Sequence, residues 1–179
     1  MTTSEQTTTP VTGERADLLA ALAKQRHFLT FPTRDLTDDQ ARQHTTASEL
    51  CLGGLIKHVT EVERGWAGFI LKGPAAMPDF TAMTEDDWAA RERTFQLGPD
   101  ETLAGVLAAY EETARATDEL VATVADLDHK WPLPKAPWNE PGAEWSIRQV
   151  LIHIVAETAQ HSGHADIIRE SLDGSKSMG

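Results

Sequence analysis

Glu157, His161 and His164 stand at i, i+4 and i+7 in the segment AETAQHSGHADIIRE. That spacing sets all three side chains on one side of a helix. Glu157 and His161, one turn apart, can grip one cation together. Far upstream, His58 stands in a second long helical pattern, GGLIKHVTEVERGW. An imidazole from one helix and a carboxylate–imidazole pair from another make a three-ligand divalent-metal site inside a helical bundle. Coordination positions then stay open for water or a small molecule, as in catalytic zinc sites. The donor set best suits Zn2+, with Ni2+, Mn2+ and Fe2+ as alternatives. On a helical wheel Ile147, Val150, Ile154, Ala165, Ile168 and Leu172 define the buried sector of the last helix. His161 falls in its middle, Glu157 beside it, His164 nearer the margin and His153 further out. An inward glutamate without an opposite charge is costly, and a cation answers that cost. His58 falls on the flank of an apolar face centred on Leu55, Val59 and Trp66, beside Cys51. Taken singly, an inward histidine is more often a satisfied core residue, and E-x-x-x-H is common by chance. The combination of the two helices is what favours a metal.

The elements that must position these residues are helical almost throughout. Apolar residues recur at threes and fours from about Glu14 to Leu29, from near Ser48 to Lys72, from about Pro99–Glu101 to about Leu127, and from Ser146 to about Leu172. Thr37–Gln40 and Ser146–Gln149 read as capping boxes, and Gly174 suits the position just past the last helix. A short surface helix is expected from Thr84 to about Phe95. Residues 73–84 read as a loop. The stretch HKWPLPKAPWNEPGAEW holds four prolines and three tryptophans, an ordered loop because tryptophan needs a surface to pack on. No strand alternation of useful length and no repeat is visible. The expectation is an all-α four-helix bundle with short extra helices in its connections.

The bulk numbers bound the function. A chain of 179 residues is expected to form a single domain over residues 13–174. Residues 1–12, rich in Thr and Ser, are expected to be a disordered tail, and 175–179 a flexible C-terminus. A net charge of −12 argues against nucleic acid or an anionic membrane as partner. The start MTTSEQTTTPVTGER has neither a basic nor an apolar stretch of a secretory signal. The lone Cys51 permits no internal disulfide, which suits the cytoplasm. Cys51 itself is expected to be a small buried residue, and His27, His44 and His129 to face solvent.

The segments GGLIKHVTEVERGW and PWNEPGAEWSIRQVLIHIVAETAQHSGHADIIRESLDG, in their helical order, resemble the DinB-like superfamily. The likeness is to its actinobacterial branch related to mycothiol-dependent S-transferases. It covers about Gly13 to Gly174. It implies a bundle of up-down-down-up order, a homodimer, and a divalent metal held by three side chains. Carried onto this chain, the second-helix histidine is His58. The ligand before the Ser-Gly pair is His161, and the ligand one turn earlier is Glu157. Many relatives have histidine at that last position, whereas the maleylpyruvate isomerases of the superfamily have glutamate. The chain carries no extra C-terminal domain of the kind some thiol-dependent isomerases have, so isomerase activity is not expected.

The implied chemistry is the activation of a low-molecular-weight thiol, mycothiol-type, at the metal for attack on an electrophilic small molecule. His164 is then a candidate acid–base residue, a group behind the ligands, or a substitute ligand. Trp66, Trp138 and Trp145 are candidates for an apolar wall, and Arg64 and Arg148 for anchors of a polar cofactor. The same ligands would also serve a hydrolase using water in the open position, or a non-catalytic metal-binding stress-response bundle.

Overall fold

The computed structural model describes residues 11–177. Most of the expected tail 1–12, and residues 178 and 179 at the other end, lie outside them. Among the described residues there are six helices: α1 Glu14–Thr30, α2 Asp38–Ala41, α3 Leu52–Lys72, α4 Glu85–Glu92, α5 Leu103–Thr123 and α6 Ile147–Asp173. Short 3-10 turns follow α1, α3 and α4. The described chain is all-α apart from one antiparallel ribbon, β1 Lys130–Pro132 with β2 Glu144–Ser146. Of the four long helices, α1 packs on α6 and α5, and α3 packs on α5 and α6.

Three of the expected helix starts carry a reciprocal capping box: Thr37, Thr84 and Ser146 each close one with the residue three further on. Two starts fall later than the periodicity indicates. The second long helix begins at Leu52, not near Ser48. Thr46 and Ser48 hydroxyls accept from the backbone N–H groups of Ser48 and Leu50, which offers that segment a local alternative to the helix. Cys51 is the N-cap, its Sγ accepting from Gly54 N. The third long helix begins at Leu103 with Thr102 as N-cap. It ends at Thr123, short of Leu127, where Arg15 of α1 takes the terminal carbonyls of Val121 and Val124. The Trp-rich connection departs from the expected strandless loop. Its two ends pair as β1 and β2, with Trp131 opposite Trp145. Strands of three residues are too short to leave an alternation in the sequence.

The core divides into two apolar clusters. One gathers Leu29, Leu55, Ile56, Val59, Val106, Tyr110, Ala165 and Ile168. The other gathers Leu22, Phe69, Ile70, Val121, Val150, Leu151 and Ile154. Each fully buried Leu, Ile or Phe among them stabilises the fold by about 1.5–3 kcal/mol. Between the clusters, along every long helix, lies a buried polar layer: Arg26, Glu63, Thr113, Thr117, Thr158, His161 and Ser162. Its threonines and Ser162 return their hydroxyls to backbone carbonyls four residues back. Arg26 and Glu63 pair with each other. No helix among the described residues is long and apolar enough to cross a membrane.

Candidate metal centre

His58 is set by a close approach of two backbones. The turn after α4 lies directly on the first turn of α3, where Gly53 and Gly54 stand. A Cβ on Gly54 would sit 1.8 Å from the Phe95 carbonyl oxygen, and one on Gly53 would sit 2.7 Å from the Leu97 side chain. With both absent, Phe95 stacks on the His58 ring at 3.8 Å between centroids and 22° between planes. Thr94 Oγ1 comes within 3.3 Å of His58 Nδ1. The same hydroxyl donates to the Arg91 carbonyl at 2.7 Å. Its single proton is therefore engaged, and toward His58 it can only accept. That assigns the proton to Nδ1 and leaves a lone pair on Nε2.

Glu157 and His161 come from α6, one turn apart, on its face toward α3. Glu157 Oε2 lies 3.8 Å from His161 Nε2, and Oε1 lies 3.8 Å from His153 Nε2. His164 Nδ1 lies 3.4 Å from His161 Nδ1, on the side of the ring away from Glu157. The His58 and His161 rings meet edge to face at 5.0 Å. One ligand atom from each of His58, Glu157 and His161 lies within 4.8 Å of the others. The helices folded apart in sequence thus converge at one point.

Burial shapes the charge of the site. The His58 pKa is pushed down to about 4, chiefly by burial and then by the charges of His161 and Arg91. His161 lies below its ordinary value for the same first reason, against the pull of Glu157, with His164 adding to the lowering. His153 is also lowered by burial, opposed by Glu157. At neutral pH all three imidazoles are neutral and offer lone pairs rather than N–H+ groups. Two neutral imidazoles and a carboxylate are a donor set for a divalent ion of the zinc type, and the residues present fit one.

The cluster borders a cavity of about 740 Å³ that His58, Glu157 and His153 line on one side. This volume is in the range of small-molecule sites. Trp66, Trp145 and Trp138 all line it, joined by Phe80 and Arg91. Trp66 and Trp145 stack at 5.3 Å and 24°, with the His153 ring edge-on to Trp66 at 4.9 Å. Trp138 is exposed and leans on Phe80 at 5.2 Å. The two arginines expected as anchors lie elsewhere. Arg148, in the first turn of α6, pairs with Glu14 and Asp128. Arg64 does not line the cavity and instead holds Glu61 and the Thr113 hydroxyl of α5. His27, His44 and His129 are exposed, and Cys51 is buried.

Sequence reading passed over Thr94, Phe95, Arg91 and His153. For His153 a signal existed: His153, Glu157 and His161 repeat every fourth residue. Its half-buried place comes from Trp66 and Trp145 leaning over it, which a wheel of α6 alone does not show. For Thr94 and Arg91 the only hint was the Gly53–Gly54 pair, a pair of glycines inside a helix that otherwise costs stability.

The chain is DinB-like by its family match. The chain belongs to the mycothiol-S-transferase family, whose model matches residues 17–174. This is a family of thiol transferases. No curated protein matches the chain.

Proposed function

We propose that the protein is a metal-dependent thiol S-transferase that joins a mycothiol-type thiol to an electrophilic small molecule. His58, Glu157 and His161 hold the divalent ion, for which Zn2+ best matches the donors. The observation that carries this reading is the approach of their ligand atoms to within 4.8 Å beside an aromatic cavity. When bound, such an ion lowers the pKa of a coordinated thiol enough to deprotonate it near neutral pH. The chain's own groups prepare the site. Thr94 keeps the His58 proton on Nδ1, and His164, facing His161 Nδ1, does the same for the second imidazole. His153, neutral and on the cavity wall, accepts the proton that the thiol gives up. Trp66 and Trp145 hold a flat electrophile and exclude water. With monochlorobimane the sulfur–carbon bond forms, the carbon–chlorine bond breaks and chloride leaves with the electron pair.

The DinB-like up-down-down-up order belongs to the same reading. It is supported by the two clusters: the N-terminal halves of α1 and α6 share one with the C-terminal halves of α3 and α5. A cytoplasmic homodimer, with no nucleic-acid or membrane partner, completes it, in keeping with the net charge of −12.

Zinc-loaded protein is expected to conjugate mycothiol to monochlorobimane, to lose at least about tenfold of that rate on chelation, and to regain it on adding zinc back. If no low-molecular-weight thiol supports turnover in loaded protein, the reading fails. Thr94→Val is expected to weaken zinc binding by about 10- to 100-fold, the range typical of groups that orient a ligand, while Thr94→Ser stays near wild type. Titration calorimetry reads this directly; a valine variant with wild-type affinity would remove Thr94 from the site.

A further inference from the structure

The cavity beside the cluster carries one cation that the fold does not use. Arg91, in the last turn of α4, lines it. Other arginines are tied to the protein: Arg26 to Glu63, Arg42 to the Glu101 carbonyl, Arg64 to Glu61, Arg148 to Glu14, and Arg169 to the Pro32 carbonyl. The Arg91 guanidinium makes no hydrogen bond or ion pair among the described residues. It rests over the Phe80 ring at 5.6 Å. Its charge reaches His58, where it adds to the larger effects of burial and His161 in holding the imidazole neutral. Arg91 pairs with neither carboxylate on the cavity wall: Glu61 is held by Arg64, and Glu157 lies 3.8 Å from His153 and from His161. The remaining wall is aromatic: Trp66, Trp145, Trp138 and Phe80. A chain of net charge −12 repels anions in general. Here it places a free guanidinium beside stacked rings.

We propose that the cavity takes a planar, apolar acceptor that bears a carboxylate, and that Arg91 selects it by engaging that carboxylate. That such a molecule is the acceptor rests on the transferase reading; that it binds does not. An arginine suits a carboxylate because its planar fork can donate two parallel hydrogen bonds. Its position at the rim orients the acid outward and the apolar body inward, over Trp66 and Trp145 toward the ligand cluster. With 4-chloro-3-nitrobenzoate the sulfur bonds to the chlorine-bearing ring carbon, the carbon–chlorine bond breaks, chloride departs with the electron pair, and the thiol proton is lost to base.

Binding is read by quenching of tryptophan fluorescence in zinc-free protein, so that a carboxylate cannot bind through the ion. The probes are 4-nitrobenzoate and 4-nitrobenzamide, equal in shape and unequal in charge. Wild type is expected to bind the benzoate about tenfold tighter than the amide. Arg91→Gln is expected to bind the two about equally, and Arg91→Lys to keep part of the preference. Equal affinities in wild type, or a preference that survives in Arg91→Gln, would overturn the proposal. Circular dichroism confirms that each variant is folded, which the exposure of Arg91 favours. A parallel assay with mycothiol and monochlorobimane separates the two readings. A benzoate preference without thiol transfer sinks the transferase and leaves the anion site standing. Thiol transfer without a benzoate preference does the reverse.

Discussion

His161→Ala is expected to weaken zinc binding by more than about 100-fold, beyond what the loss of a merely orienting neighbour costs. The His161 side chain is the hub of the cluster. Its Nε2 faces Glu157, its ring meets His58, and its Nδ1 meets His164. Removing it leaves two ligands on separate helices, and among the described residues no other trio of candidate ligand atoms lies within 4.8 Å of one another. His58→Ala is expected to behave alike, and His44→Ala, at an exposed position remote from the cluster in the chain, to bind as wild type does. Titration calorimetry and elemental analysis of the purified variants check this, with circular dichroism to show that the helices remain. Retention of one equivalent of metal at wild-type affinity in His161→Ala would place the ion elsewhere.

A large loss of stability is expected on breaking the polar layer. Glu63 is fully buried, and its carboxylate receives Arg26 through Nη2 at 2.5 Å and Nε at 3.3 Å. Asp118 takes the other arm of Arg26 at 2.7 Å. Glu63→Ala leaves the guanidinium inside the protein with only a half-exposed partner. Breaking a buried pair in this way costs about 3–5 kcal/mol. In a chain of this length that lowers Tm by on the order of 10 °C. The double variant Arg26→Met with Glu63→Leu is expected to recover much of the loss, because it removes both charges and keeps the volume. Thermal unfolding followed by circular dichroism measures both. A fall of under about 1 kcal/mol in Glu63→Ala would mean that water reaches the pair.

The long helices were legible because each must turn one face to a shared interior, and that demand writes a period of three to four into the chain. The pairing of His58 with Glu157 and His161 was legible for the same reason, since the wheel of α6 sets both of its residues inward. Contacts between elements were not legible in this way. The Arg26–Glu63 pair joins two helices whose periodicities, taken separately, give no reason to match those two positions. The fate of Arg148 turned on Glu14, at the far end of the chain. Helix ends were misjudged where a side chain from another element intervened, as Arg15 does at the end of α5. Thr94 lies on a connection, and nothing in its neighbourhood announces that it will face an imidazole.

Two hydrogen atoms in place of two methyl-sized groups decide the chemistry of an imidazole one turn away. Any side chain at position 54 would wedge the 93–97 segment off α3, carry the threonine hydroxyl out of reach, and let the His58 proton migrate to the nitrogen that the ion needs bare. The loss would then show as a fault in coordination at a residue that had not itself been altered. A survey of variants that scored only contacts with the metal would overlook this steric vacancy as a determinant of metal affinity.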